Sequence, residues 1–169
     1  MKSAVAIIAF SALSVFCCSG CKKDKNSKPA GSGKYEMVAG KWAQKDLVLA
    51  VSVKFGGQTI PQGTSIITIA PLLGPAGQYF TCTKNNVYNF NKDSTMQVEG
   101  CTDLILPVTG KEGTWRLDIY DAVLLLKSKK GDPDPHWINE VTNTSMKISI
   151  TAAIPNVASV PLTLILEKK

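Results

Sequence analysis

From Tyr35 to the C-terminus, hydrophobic and polar residues alternate along most of the chain. The clearest case is the segment 145–151, in which Met146, Ile148 and Ile150 are separated by polar residues. A period of two places neighbouring side chains on opposite faces of a β-strand, so one face is buried and the other faces water. The pattern predicts strands over 41–55, 86–90, 95–100, 113–119, 122–128, 136–142, 145–153 and 160–167.

The connections between these strands are short and rich in turn-forming residues. They include Asn91–Ser94, Tyr120–Asp121, Lys129–Asp134 and Asn143–Thr144. Short links between successive strands imply antiparallel pairing, and closure of the sheet removes its exposed edges. We therefore predict an all-β fold, an antiparallel up-and-down meander of about eight strands that closes into a barrel. The interior of such a barrel is either filled by side chains or large enough for one small ligand.

The segment 56–83 does not follow the alternation, because eight glycines and prolines interrupt it. Ile66, Ile67 and Ile69 could form a short strand within it. A connection of this length is compatible with a lid over one mouth of the barrel. It is equally compatible with a surface segment that packs on the outside.

The N-terminus has the features of an export signal. Lys2 precedes an apolar run over residues 4–16, which is too short to span a bilayer, and small residues follow. Ser19, Gly20 and Cys21 resemble a lipobox, the site at which the signal is removed and the new terminal cysteine is acylated. Lys22 after the cysteine resembles outer-membrane sorting. The alternative is an ordinary secreted protein with an incidental cysteine.

These observations divide the chain into three parts. Residues 1–20 are a predicted lipoprotein signal peptide, and residues 21–34 are the lipidated Cys21 with a flexible, Lys-rich tether. Residues 35–169 form the barrel domain. We expect an outer-membrane lipoprotein held in the bilayer by acylated Cys21, on the periplasmic face or at the cell surface.

The net charge of +6 and the pI of about 9.1 suggest a nucleic-acid partner at first. However, six of the 19 basic residues and only one of the 13 acidic residues lie in positions 1–34. The remaining 13 basic and 12 acidic residues leave the domain at +1. A nearly neutral domain lacks the cationic face that phosphate contacts require, so we expect no nucleic-acid binding.

Two cysteines remain if Cys21 is acylated. Cys82 and Cys101 are 19 residues apart on either side of the hairpin predicted over 86–100. In the oxidising envelope we expect them to form a disulfide at the base of that hairpin. A reactive thiol or redox pair is the alternative, although the spacing differs from Cys-x-x-Cys.

Candidate catalytic groups are few. His136 is the single histidine, and the chain contains no Gly-x-Ser-x-Gly elbow, phosphate-binding loop or metal-binding helix motif. Asp132, Asp134 and His136 alternate along an extended segment and could face one metal ion, but a Pro-rich turn whose Asp residues stay solvated is the stronger interpretation. We therefore expect no enzyme activity, no cofactor and no metal.

Several large side chains lie on the apolar faces of the predicted strands. In a barrel with a cavity they would contact an apolar ligand, and in a filled barrel they would be core. These candidate lining residues are Tyr88, Phe90, Met96, Trp115, Leu117, Met146 and Ile148.

The chain resembles the lipocalin-like domain of bacterial envelope lipoproteins. The resemblance begins at Gly40 and Trp42, which look like the Gly-x-Trp of the first lipocalin strand, and covers most of 38–167. It continues through Cys82, Tyr88, Phe90, Asn91–Ser94, Cys101, Gly113, Thr114, Trp115, Ile138, Val141, Thr142 and Met146. It implies a non-catalytic protein that binds a small apolar ligand at the cell envelope. The alternative is a protein-interaction or inhibitor module with a filled barrel.

Overall fold

A computed structural model describes residues 33–101, 112–129, 131–154 and 158–169. The predicted signal peptide, Cys21 and all but the last two residues of the predicted tether lie outside these ranges. The first element, helix α1 (Gly33–Val38), begins two residues inside the segment predicted as tether.

Eight strands form a closed antiparallel barrel, as the alternation predicted. Each strand pairs with its neighbours along the chain, except that β1 closes the barrel by pairing with β10 on one side and β4 on the other. The barrel strands are β1 (Gly40–Leu49), β4 (Val87–Phe90), β5 (Thr95–Glu99), β6 (Glu112–Asp118), β7 (Val123–Ser128), β8 (Asp134–Val141), β9 (Ser145–Ile154) and β10 (Ala158–Lys168).

The first predicted strand is too long. It leaves the barrel after Leu49, and the residues that follow form a separate hairpin of β2 (Val53–Phe55) and β3 (Gln58–Ile60). A bulge between Gln44 and Asp46 also shifts the register of β1 against β10. An inserted residue reverses which alternate positions face inward, and accordingly Trp42 and Gln44 are buried before the bulge, and Leu47 and Leu49 after it.

The segment 61–86 contains helices rather than a strand. They are α2 (Ile66–Ile69), a 3₁₀-helix (Ala70–Leu73) and α3 (Pro75–Thr83), so the short strand predicted around Ile66 is wrong. Pro71 lacks an N–H for strand pairing but fits the start of a helical turn, and Pro75 begins α3 in the same way. Ile66 and Phe80 belong to the same buried cluster as the barrel interior. The segment therefore adds apolar side chains to the core.

The two ends of the barrel differ. The closed end carries α1 and the short turns at 91–94, 119–122 and 142–144. The other end, which we call the open end, carries the connections that follow β1, β5, β7 and β9. None of the helices in the described part of the chain is long and apolar enough to cross a membrane.

Candidate functional site

Aromatic side chains seal the closed end. Trp42 is fully buried, donates a hydrogen bond from Nε1 to the Val38 carbonyl oxygen (2.8 Å) and lies beneath the Lys168 ammonium group, 5.1 Å from the ring centroid. Lys168 also donates to the Met37 carbonyl oxygen (2.9 Å), which fastens α1 to β10. Tyr35 of α1 stacks on Trp115 with ring centroids 4.6 Å apart. The Gly40 and Trp42 pair singled out in the sequence therefore lies at the sealed end of the barrel.

The candidate lining residues all lie in or against the barrel core. Tyr88, Phe90, Met96, Trp115, Met146 and Ile148 are each at most 1% exposed, and Leu117 packs against the same cluster. Phe90 meets Trp115 edge-on, with centroids 5.6 Å apart. A side chain with so little exposure has no space for a water molecule beside it. A ligand would therefore reach this part of the interior only by displacing the packed side chains.

A buried polar cluster lies between β1, β4 and the end of α3. The Tyr88 hydroxyl donates to Gln44 Oε1 (3.2 Å), and Gln44 Nε2 donates to Thr83 Oγ1 (3.3 Å). The Thr83 hydroxyl in turn donates to the Phe80 carbonyl oxygen (2.8 Å). Burial raises the pKa of Tyr88 to about 12, so the phenol stays a neutral donor. Each buried polar side chain here has a partner, which makes the cluster a structural link between α3 and the barrel.

The predicted disulfide between Cys82 and Cys101 is present, with the two Cα atoms 5.8 Å apart. It joins the last turn of α3 to the second residue after the β4–β5 hairpin. Asn86, which no sequence pattern indicated, reinforces the same junction. Its side chain accepts a hydrogen bond from the Cys101 N–H (2.7 Å) and donates one to the Cys101 carbonyl oxygen (2.6 Å). The bridge and the amide together hold the chain as it leaves β5.

A pocket of about 480 Å³ opens on β5, β6 and β7, where the pairing of β5 with β6 ends. The inward-facing residues Met96, Gly113 and Ser128 contribute to its lining, and the other lining residues, which include Lys127 and Glu112 at the rim, are exposed on the outer face of the sheet. The pocket forms here because β5 and β6 pair over only three residues and Gly113 contributes no side chain. The connection 102–111, which joins these two strands, lies outside the described residues. We call this site the mouth pocket.

Charged side chains surround the rim of the mouth pocket. Lys129 Nζ lies 2.5 Å from Glu112 Oε2, and this hydrogen bond lowers the pKa of Glu112. Lys127 lies opposite Thr114 in the sheet and has no ion-pair partner among the described residues. The pocket therefore combines a mainly apolar lining with a cation at its edge that has no ion-pair partner in the described ranges, a combination suited to an amphipathic ligand.

His136 faces inward from β8, where it pairs with Leu124 of β7, and is only 5% exposed. Its Nε2 lies 2.9 Å from Asp134 Oδ2, but the two groups are not aligned for a hydrogen bond. Burial lowers the pKa of His136, and the Asp134 carboxylate only partly opposes that effect. No group of three or more metal-ligating side chains occurs among the described residues, and Asp132 is exposed whereas His136 is buried.

No protein-family model matches this chain, and no curated protein matches it.

Proposed function

We propose that this chain is a membrane-anchored, lipocalin-like lipoprotein without catalytic activity that binds a small amphipathic molecule at the cell envelope. The anchor is acylated Cys21, at the outer membrane, and the ligand site is the mouth pocket rather than the packed interior. The observation that carries the proposal is a pocket of about 480 Å³ with a mainly apolar lining and, at its rim, Lys127, which has no ion-pair partner among the described residues. Pockets that hold small molecules generally have volumes of roughly 300–1,000 Å³.

Ligand occupancy can be tested with a dansyl-labelled fatty acid and the full mature chain. We expect saturable binding that Gly113→Leu weakens at least tenfold, about 1.4 kcal/mol, because the added side chain fills the base of the pocket. Lys127→Glu should weaken binding of the fatty-acid probe more than that of its methyl ester. Trp137→Leu, an exposed substitution outside the pocket, is the matched control.

Two outcomes would contradict this proposal. If the parent chain and Gly113→Leu bind the fatty-acid probe with equal affinity, and circular dichroism shows that both are folded, the mouth pocket is excluded as the ligand site. The absence of both probe binding and a co-purifying lipid in native mass spectrometry would exclude small-molecule binding altogether.

A second candidate is a protein-interaction or inhibitor module, which the packed interior favours. Six of the seven side chains expected to line a ligand cavity are at most 1% exposed. A rigid, filled barrel held by a disulfide presents its loops and outer surface to a partner. Purification of the tethered protein from envelope extracts should then recover one stoichiometric partner, whose binding Gly113→Leu leaves unchanged.

A further inference from the structure

Three large hydrophobic side chains are exposed together near the closed end. Ile119, Tyr120 and Trp137 are 54%, 102% and 55% exposed, respectively. Ile119 and Tyr120 form the tip of the β6–β7 turn. Trp137 lies on the adjoining strand, where it pairs with Val123, the first residue of β7. The Ile138 N–H donates to the Ala122 carbonyl oxygen (2.9 Å), which connects the turn to β8. We call these three residues the tip patch.

The backbone of the turn is unfavourable for the side chains that it carries. Ile119, Tyr120 and Asp121 have φ values of +48°, +54° and +62°. Turn positions with positive φ are normally occupied by Gly, Asn or Asp, and a β-branched residue such as isoleucine is rare there. The turn therefore keeps two bulky apolar residues at its tip although smaller residues would suit the backbone better. Strained positions of this kind often mark functional surfaces.

The tip patch lies at the end of the barrel where the chain enters from the anchor. Helix α1 begins at Gly33 and packs at the closed end, where Tyr35 stacks on Trp115 of β6, the strand that leads into the turn. Predicted acylated Cys21 is 12 residues before Gly33. The composition of the residues between them predicts a flexible tether, for which that length gives a mean end-to-end distance of about 20 Å and a reach of about 40 Å at most. The anchor thus keeps the closed end close to the bilayer.

We infer that the tip patch contacts the lipid surface, with Ile119 and Tyr120 inserted at the membrane interface and Trp137 beside them. This inference rests on the lipid anchor of the proposed function. Tyrosine and tryptophan are enriched where a protein meets the headgroup region, because their rings are apolar with a polar edge. Contact at the closed end directs the open end, with the mouth pocket, away from the membrane.

The charges around the tip indicate which force holds this contact. Asp118 and Asp121 flank the tip, and Arg116 pairs with Asp118 (3.4 Å). The immediate surroundings of the tip patch are therefore not cationic. The contact is apolar and aromatic, and we expect it to persist in about 0.5 M salt, at which surface charges are screened within a few ångströms.

Trp137 provides a reporter for this contact, since Trp42 and Trp115 are buried. The acylated full chain is reconstituted in vesicles of phosphatidylethanolamine and phosphatidylglycerol, with or without brominated acyl chains, which quench nearby tryptophan. We expect brominated lipid to reduce the emission of the parent protein, and Trp137→Phe to abolish that reduction. Brominated lipid should quench the Trp137 emission of the double variant Ile119→Asn with Tyr120→Asn less than that of the parent. The variant should still float with vesicles as the parent does. Asparagine accepts positive φ, so this variant keeps the turn.

The outcomes separate this inference from the anchor itself. Flotation of all variants with no quenching of Trp137 would overturn the tip contact while the anchor stands, and the patch would then belong to a protein partner. Quenching that disappears in about 0.5 M salt would overturn the apolar contact in favour of an electrostatic one. Cys21→Ala should lose flotation, and a parent chain that fails to float would overturn both the anchor and the contact.

Discussion

At the scale of single residues, the amide of Asn86 and the missing side chain of Gly100 act together. Gly100 has φ of +111°, and a Cβ atom built on it would lie 2.5 Å from Asn86 Oδ1. The close approach lets Asn86 bond both backbone groups of Cys101. Neither residue has a recognisable signal in the sequence, because an isolated Asn or Gly near a turn is common. Their importance comes from a contact between residues 15 positions apart along the chain.

Gly100→Ala should therefore destabilise the fold by about 2–4 kcal/mol, from backbone strain and from the displaced Asn86 amide together. Urea unfolding of the parent and the variant measures this loss. Gly57→Ala is a matched control, because Gly57 also has positive φ (+81°) but has no atom within 4 Å of its virtual Cβ. Equal losses for the two variants would show that the Asn86 contact contributes nothing.

At the scale of elements, the disulfide couples a helix to a hairpin. The alternation of residues predicted β4 and β5 closely, and the spacing of Cys82 and Cys101 predicted their pairing, since residues that flank a hairpin come together. Helix α3 was not predicted. Its sequence contains Pro75 and Gly77 and no apolar repeat long enough to predict a helix. The segment is therefore helical because of its packing against the core.

Replacement of both cysteines, Cys82→Ser with Cys101→Ser, should lower the free energy of unfolding by about 3 kcal/mol, as expected for a closed loop of this length. The barrel should still form, because its strands pair independently of the bridge. Urea unfolding with and without reductant measures the loss. The parent should respond to reductant and the double variant should not. An equally stable double variant would contradict the predicted role.

At the scale of the whole molecule, the stability of the barrel should depend on pH through His136. Burial holds the pKa of His136 below its ordinary value of 6.5, so the folded state keeps the ring neutral. The unfolded chain takes up the proton as the pH falls through about 6.5, and this uptake lowers its free energy relative to that of the folded state. Stability is full above that pH and decreases below it.

Thermal unfolding at about pH 7.5 and pH 5 measures this decrease, a range in which histidine titrates. The lowered pKa values of Asp93, Glu99 and Glu112 affect stability only at lower pH, below the ordinary carboxyl values of 3.8 and 4.5. His136→Gln should flatten the dependence over this range. An unchanged slope in that variant would assign the effect to other groups.

The sequence by itself determined the fold class, the order of the barrel strands and the disulfide. Each of these follows from local information, namely a period of two, turn residues between strands and two cysteines that flank one hairpin. The tertiary structure decided how the interior is used. Inward positions such as Trp115 and Met146 are core because neighbouring strands and α1 bring other large side chains against them, whereas Gly113 borders open space where two strands stop pairing. Alternation shows which side chains face inward, but the space between them depends on all the strands together, and no local pattern records it.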